Sequence, residues 1–481
     1  MNIPDSDVWT VLRGMNHWWD ARTDLGVPTW RRAAYREIRQ WIINPPTARA
    51  LLLSGARRVG KTTLLRQCIQ ELLASGVPPR QILYVTFDNP ILKLLGLDNL
   101  LKYWDALQPK TSGDSPSLEY LFLDEIQYTA DWQVWLKHQV DFQPLRRIAV
   151  TGSAIPLTTE RQESGVGRWH TLVLPTLSFY EYLQLRTAKY SEPPRISSLK
   201  NLFNWDPAEF ARVAALSADL IPHFHDYLLR GGFPETTKIE NLNLAQKLLR
   251  EDIVDKVLKR DMTALFGVRK IVELEKLFIY LCLHDGGILD KSMLSRELDI
   301  KLPLINNFLA LFESTHLIYQ LKPYAFGKAV LRGKNKVYLA DPAIAGSVLS
   351  KGESLLADPT RLGAAVEAAF FKHVYKRFYS QSISFCYWRH PRGELEVDVI
   401  ANLADEHIPF EVKYSESPVV AKQLKGLRLF CQERELTRGY AITKLSSDFG
   451  PLQFPDSSTV IMKIPAPLAC YWLSESESRD E

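Results

Sequence analysis

Gly55-Ala56-Arg57-Arg58-Val59-Gly60-Lys61-Thr62 has the spacing of a phosphate-binding loop, and its flanks supply the two elements such a loop needs. Ahead of it, Ala50-Leu51-Leu52-Leu53 is short and wholly apolar, as a strand buried on both faces of a parallel sheet must be. Behind it, Leu64, Leu65, Cys68, Ile69, Leu72 and Leu73 recur at helical spacing. A glycine-rich turn between strand and helix lets backbone N–H groups close on phosphate oxygens, and the helix N-terminus adds a favourable dipole. Lys61 supplies a point charge to the β- and γ-phosphates, and Thr62 is placed to ligate magnesium. The expected nucleotide contacts are Gly55, Arg57, Arg58, Val59, Gly60, Lys61, Thr62 and Thr63, with ATP and Mg2+ as cofactors.

The rest of that sheet follows. Gly76-Val77-Pro78-Pro79 breaks the loop helix, and Ile82-Leu83-Tyr84-Val85-Thr86-Phe87 reads as a second strand ending at Asp88. After a polar stretch, Tyr120-Leu121-Phe122-Leu123 is an apolar strand closed by Asp124 and Glu125. Asp124 at the strand's carboxyl end can hold magnesium, and Glu125 can orient and deprotonate an attacking water. Trp132, Trp135 and Leu136 mark a helix, and Arg147-Ile148-Ala149-Val150 a strand running into Thr151-Gly152-Ser153. Ligands collect at the carboxyl ends of parallel strands, so Ser153 is a candidate sensor of the γ-phosphate. Arg168, after Ser164-Gly165-Val166-Gly167, reads equally as an arginine finger and as a surface salt bridge.

The chain has 481 residues, too many for one hydrophobic core, and its 46% hydrophobic and 24% charged residues are ordinary for a globular protein. A net charge of +4 permits nucleic-acid contact without arguing for it, so any basic surface must be local. The five cysteines form no metal-ligand spacing and read as reduced core thiols. Neither a signal pattern nor an apolar run of membrane-spanning length is present, so the expected location is cytoplasmic, with no membrane partner.

The loop, Leu123-Asp124-Glu125-Ile126-Gln127, Thr151-Gly152-Ser153, Gly167-Arg168 and Pro175-Thr176-Leu177-Ser178-Phe179-Tyr180-Glu181-Tyr182 together resemble the prokaryotic AAA+-type ATPases related to archaeal and signal-transducing NTPases. The resemblance continues through Leu229-Arg230-Gly231-Gly232-Phe233-Pro234-Glu235 and Lys259-Arg260-Asp261. It implies a helical lid, a winged helix and a C-terminal domain of uncharacterised function similar to restriction endonucleases. Ser153 departs from the asparagine usual at that position, which argues against an ordinary ring-hexamer mechanism; nucleotide-dependent assembly of copies stays open.

At the N-terminal end, Trp18-Trp19 reads as an extended arm. Tyr35, Ile38, Trp41 and Ile42 share one helix face, opposite Arg31, Arg32, Arg36 and Arg39, a face that either packs on the ATPase or touches nucleic acid or the nucleotide base. Further on, Leu274, Leu277, Phe278 and Leu281, then residues 293–298, then Ile305, Leu309 and Phe312 give three helices. A hairpin-like tail carries Lys328, Arg332, Lys334 and Lys336 around Gly327 and Gly333, a candidate basic wing. The exposed candidates on the third helix, Asn306, Asn307, Glu313 and Ser314, are hardly basic, so nucleic-acid contact and a purely structural connector both remain.

The second constellation lies near the C-terminal end. Glu396-Val397-Asp398-Val399-Ile400 and Pro409-Phe410-Glu411-Val412-Lys413-Tyr414 read as neighbouring strands; the period of two puts Glu411 and Lys413 on one face, where Asp398 can meet them. Two carboxylates and a lysine converging this way suit metal-assisted phosphodiester cleavage, the acids binding Mg2+ or Mn2+ and Lys413 positioning the nucleophile. Glu367 shares a helical stripe with Phe371, Val374 and Phe378, and a carboxylate on a core-facing stripe needs a partner. Glu367, Asp398, Glu411 and Lys413 match the pattern of the PD-(D/E)xK nuclease fold. The polar, acidic tail 474–481 is expected to fray.

The expected architecture is multidomain α/β: an N-terminal arm and amphipathic helix (1–45), a P-loop parallel-sheet ATPase (46–185), a helical lid (186–268), a winged helix (269–340) and a restriction-endonuclease-like α/β domain (341–481). The expected function is an ATP-binding and hydrolysing switch coupled to metal-dependent cleavage of nucleic acid, DNA ahead of RNA. The alternative is a signalling or scaffold ATPase whose C-terminal domain only binds a partner or nucleic acid.

Overall fold

The computed structural model describes residues 3–107, 117–153, 167–325, 333–391, 393, 395–455 and 457–476. They form two compact units, one of residues 1–174 with 314–316 and one of 175–313 with 317–481. Among the described residues no helix is long and apolar enough to cross a membrane, and all five cysteines are free and buried.

The first unit is organised around a five-stranded parallel sheet in the order β2-β3-β4-β1-β5. Its strands are β1 (Ala50–Ser54), β2 (Ile82–Thr86), β3 (Glu119–Asp124), β4 (Arg146–Gly152) and β5 (Trp169–Val173). Parallel neighbours require crossovers, and helices such as Lys61–Ala74 provide them, which covers both sheet faces. That is why Leu51, Leu52 and Leu53 are buried without alternation. β4 lies between β1 and β3, with Ser54 beside Gly152 and Leu123 beside Val150, so three chains leave neighbouring strands at one edge. The site forms there.

β2 is an outer strand with backbone groups to satisfy. Asn16 does this as a strand would, its side chain donating to Tyr84 O at 2.8 Å and accepting from Tyr84 N at 2.7 Å. Trp18 and Trp19 both donate to Ile82 O, at 3.2 and 3.0 Å. The tryptophan pair is therefore a short 3-10 turn (His17–Asp20) with Trp18 buried, and the expected extended arm is corrected: indole N–H groups had unmet carbonyls to find. Of the four arginines expected on one helix face, Arg31 and Arg32 precede the helix Tyr35–Ile43. Arg39 and Arg31 pair with Glu71 of the loop helix, and Arg32 donates to Val59 O at 2.9 Å.

The second unit begins with helices and ends in a nine-stranded sheet, order β13-β14-β12-β11-β10-β9-β7-β8-β6. Its strands are β6 (Gly287–Ile288), β7 (Ile318–Pro323), β8 (Lys336–Leu339), β9 (Ser382–Arg389), β10 (Glu396–Leu403), β11 (His407–Lys413), β12 (Arg438–Thr443), β13 (Gly450–Gln453) and β14 (Val460–Pro465). The central helix Pro359–Phe378 starts from Asp358, whose carboxylate accepts from Thr360 N and Arg361 N, with proline at the first helical position. Three helices, Ile271–Leu283, Lys291–Leu298 and Leu302–Ser314, fall where the spacing predicts them. The hairpin after them does not end a separate body at 340. β7 runs parallel to β9, Lys322 beside Cys386, so the hairpin continues the C-terminal sheet.

One buried polar knot holds the motif residues of this unit. Asp341, fully buried, accepts from Thr176 Oγ1 at 2.6 Å, Gly232 N at 2.9 Å and Lys372 Nζ at 3.1 Å. Gly232 has to be glycine: an added Cβ would stand 2.4 Å from Leu177 O. Ser474, Glu475 and Ser476 are buried at the end of the helix Ala466–Glu475, so the expected fraying does not begin at 474; residues 477–481 lie outside the described ones.

Candidate functional site

The loop of the first unit has the backbone its sequence requires. Gly55 passes so close to β5 that a Cβ would stand 2.3 Å from Leu174 O, and Arg58 and Gly60 take left-handed φ of 62° and 99°. Such alternation turns successive N–H groups toward one concavity, the geometry that receives an anion. Lys61 is buried, its Nζ donating to Gly55 O at 2.8 Å and Ala56 O at 2.9 Å, which folds the ammonium over the loop. Thr63 faces solvent in the helix's first turn. Arg57 donates to Tyr128 OH at 2.6 Å.

The acids arrive from β3. Thr62 Oγ1 donates to Asp124 Oδ2 at 2.7 Å and Tyr84 OH to the same oxygen at 2.9 Å, while Thr151 Oγ1 donates to Oδ1. Burial pushes the Asp124 carboxyl up, against the pull of Thr151 and Thr62. A threonine hydroxyl and a carboxylate in contact at the mouth of an N–H-lined loop are the oxygen donors a magnesium-bound nucleoside triphosphate needs. Glu125 has a left-handed φ of 54°, its N–H donating to Thr151 Oγ1 at 3.0 Å. Its carboxylate meets Ser153 Oγ at 3.2 Å and Gln127 Nε2, which also donates to Ser153 at 3.0 Å. The structure thus brings Ser153 and Glu125 into contact.

Arg168 is not brought to this cluster. Its Nε lies 3.0 Å from Asp141 Oδ1 on a half-exposed surface, the salt bridge that was one of its two sequence readings. The glycine turn before it, residues 164–166, lies outside the described residues. The contacts of Tyr84, Thr151 and Gln127 with the acids and Ser153 were not read from the sequence, because their partners are set by strand order. Nor was the place of His316. Residues 314–316 belong to this compact unit, and His316 Nε2 lies 2.7 Å from Ser54 Oγ at the end of β1. Burial, with Lys61 nearby, pushes its pKa down to about 4.

In the second unit β10 and β11 are antiparallel, with Val399 beside Phe410, so Asp398 and Glu411 stand at neighbouring positions. Glu367 reaches them from the helix Pro359–Phe378. The expected trio of metal ligands does not close on one point. Glu411 is engaged by Lys413, and its Oε2 is buried with no hydrogen-bond partner. Glu367 and Asp398 instead hold Lys336, whose Nζ is 2.8 Å from each and 2.9 Å from Glu396. Among the described residues no group of three or more His, Cys, Asp or Glu is arranged to hold a metal ion, and the cation in this cluster is an ammonium.

The basic wing is corrected accordingly. Lys336 is buried in the acid cluster, Lys334 pairs with Asp290 at 2.7 Å, and Lys328 and Arg332 lie outside the described residues. Of the candidates on the third helix, Ser314 is buried. Burial pushes the Glu411 carboxyl well up, with Asp398 adding to the effect. Burial also opposes the Asp398 charge, but Lys336 and Lys413 outweigh it and hold that carboxyl below its ordinary range. Val412 N donates to Asp398 Oδ2 at 2.8 Å, and Tyr338 OH to Glu367 Oε1 at 2.6 Å.

Comparison with known proteins assigns part of this. Residues 47–183 match the model of an AAA domain, and residues 221–355 and 362–462 match two domains of unknown function, DUF8612 and DUF4143. An uncharacterized protein of Methanocaldococcus jannaschii is 26% identical over 298 residues, covering 60% of this chain and 60% of its own length. One of Haemophilus influenzae is 24% identical over 378 residues, covering 76% and 82%, and one of Mycobacterium tuberculosis is 23% identical over 454, covering 91% and 83%. Among solved structures, PCH-2 of C. elegans matches at TM-score 0.25 and 14% identity over 44% of this chain and 61% of its own. AMPPCP-bound DnaA of Aquifex aeolicus matches at 0.26 and 12% over 60% and 89%. The AAA match spans the loop, Asp124, Glu125 and Ser153; the chain carries an AAA-type P-loop ATPase domain and a separate mixed-sheet domain after it.

Proposed function

We propose that this chain is an ATP-hydrolysing switch whose output is a PD-(D/E)xK-like site for metal-dependent cleavage of nucleic acid, DNA ahead of RNA. The observation that carries the ATPase half is the contact of Thr62 with Asp124, with Glu125 and Ser153 joined beside it. In this reading Thr62 and Asp124 hold magnesium, Lys61 and the loop N–H groups hold the phosphates, and Glu125 orients and deprotonates water. The nuclease half is supported by Asp398, Glu411 and Lys413 on neighbouring positions of β10 and β11, with Glu367 of the helix Pro359–Phe378 sharing Lys336 with Asp398. Asp398 and Glu367 would hold the divalent cation, Mg2+ or Mn2+, which supplies an activated water when bound. The three helices between residues 271 and 314 support a winged helix, its hairpin joined to the C-terminal sheet.

One observation favours a second reading. With Lys336 inside the acid cluster, the C-terminal domain would serve as a partner- or nucleic-acid-binding module that cuts nothing. Two assays run on the same preparations separate the readings: ATP hydrolysis, and Mg2+- or Mn2+-dependent cleavage of linear, circular and single-stranded DNA and of RNA, each with and without ATP. Glu125→Gln is expected to lower hydrolysis by about 10²–10⁴-fold. Asp398→Ala is expected to abolish cleavage with hydrolysis intact. Cleavage that survives Asp398→Ala, or no cleavage of any substrate by the unaltered protein, would remove the nuclease half.

A further inference from the structure

Lys336 stands on β8, three places from β10 in the strand order, a separation of about 14 Å across a flat sheet and too far for a lysine to bridge. Its Nζ nevertheless lies 2.8 Å from Asp398, so the sheet curves between β10 and β8 enough to deliver it. The side chain is only 3% exposed and ends among three carboxylates, Glu367, Glu396 and Asp398, at 2.8, 2.9 and 2.8 Å. Three carboxylate groups thus converge on one ammonium, and oxygen donors of this kind are what Mg2+ and Mn2+ take. Glu411 Oε2, buried and without a hydrogen-bond partner, is a fourth acceptor in the same neighbourhood.

We propose that Lys336 is the resident cation of this cluster and that a divalent cation enters only by displacing its ammonium. This rests on reading the cluster as a metal site, and it explains why the expected ligands do not converge. Oxygens ligate Mg2+ at about 2.1 Å, so loading the site would draw the three oxygens inward by about 0.7–0.8 Å toward the point Nζ now occupies. Two cations cannot share that point. The backbone of Lys336 is fixed by pairing with Ile288 and Leu321, so the side chain is what moves. Its way out passes Glu396, the most open of the three carboxylates at 30% exposure against 19% and 11%. The lysine thereby sets the metal concentration at which the site forms, and keeps a buried acid cluster folded below it.

The test is Mn2+ binding to the full chain without nucleotide, followed by the electron-paramagnetic signal of free Mn2+, for the unaltered protein, Lys336→Gln and Lys336→Gln/Asp398→Asn. Lys336→Gln is expected to gain one site at least tenfold tighter than any in the unaltered protein, and the added Asp398→Asn to remove it. A site of equal affinity without the substitution, or no gain with it, overturns the proposal. Acetic anhydride labelling of the unaltered protein, read by mass spectrometry, covers the case in which Lys336→Gln does not fold. Labelling of Lys336 should be slow and should rise several-fold at saturating Mn2+; unchanged labelling at saturation overturns the proposal. A Lys336→Gln protein that gains the site and cuts nothing sinks the nuclease reading alone. A protein that cuts through Asp398 and whose Lys336→Gln form gains no site sinks this inference alone.

Discussion

Thr62 Oγ1 donates to Asp124 Oδ2 at 2.7 Å, which fastens the first turn of the loop helix to the carboxyl end of β3. The contact exists because β4 alone separates β1 from β3, so strand order fixes it. Thr62→Val keeps the shape and removes the donor. Its apparent Mg2+ affinity in ATP hydrolysis should fall about 10–100-fold, with binding of a fluorescent ATP analogue in EDTA unchanged. An unaltered Mg2+ titration would show that Thr62 is only a helix-start residue.

Arg168 sits in an exposed pair with Asp141, where ion pairs contribute about 0–1 kcal/mol. Arg168→Ala should change ATP hydrolysis less than about threefold and lower stability by under about 1 kcal/mol. Hydrolysis measured over a range of protein concentrations checks this: a loss of 10³-fold or more that appears only at high concentration would identify a finger acting between copies.

The loop, the acidic strand end and the three C-terminal acids were legible because each is a local pattern: glycine spacing, an apolar run closed by charge, a period of two. Lys336 was legible only as a basic residue beside Lys334, because Glu367, Glu396 and Asp398 lie far along the chain and the curvature of the sheet that brings them to it leaves no local mark. The Trp18-Trp19 pair failed for a related reason. Its indoles answer carbonyls of β2, and an outer strand cannot be told from an inner one by its own sequence. The motif residues Thr176 and Gly232 were legible through resemblance, but their physical role needed Asp341 and Lys372 in view.

Lys372 is 1% exposed and its ammonium meets Asp341, Thr176 Oγ1 and Leu177 O at 3.1, 2.8 and 3.0 Å. Lys372→Met leaves a fully buried carboxylate without its cation, which costs about 3–5 kcal/mol. Lys372→Met/Asp341→Asn should recover part of that loss, since the asparagine can still accept from Gly232 N. Urea denaturation of the single and double variants reads both, and a double variant no more stable than the single one would deny the coupling.

His373 is the buried histidine whose titration should be visible in stability. Its Nδ1 donates to Ala369 O at 2.6 Å and its Nε2 accepts from Phe179 N at 2.8 Å, so the ring is held neutral with both nitrogens used. Burial pushes its pKa down to about 3, Lys372 and Lys376 push the same way, and Glu181 opposes them; Tyr227 lies beside the ring edge-on. A base whose folded pKa is depressed binds fewer protons folded than unfolded between the two values. Its contribution is therefore complete above about pH 6.5 and is lost as pH falls toward 3. Between pH 7 and pH 5 the loss is about 2 kcal/mol from this group alone. Protonation at Nε2 would also turn the acceptor of Phe179 N into a second donor, which opens the start of the helix Phe179–Leu185. His373→Gln places an amide oxygen near Phe179 N without a titrating group. Unfolding free energies from urea denaturation at pH 7 and pH 5 should differ by less in His373→Gln than in the unaltered protein, by about 2 kcal/mol. Equal differences would mean that other buried groups, and not His373, carry the acid sensitivity of this unit.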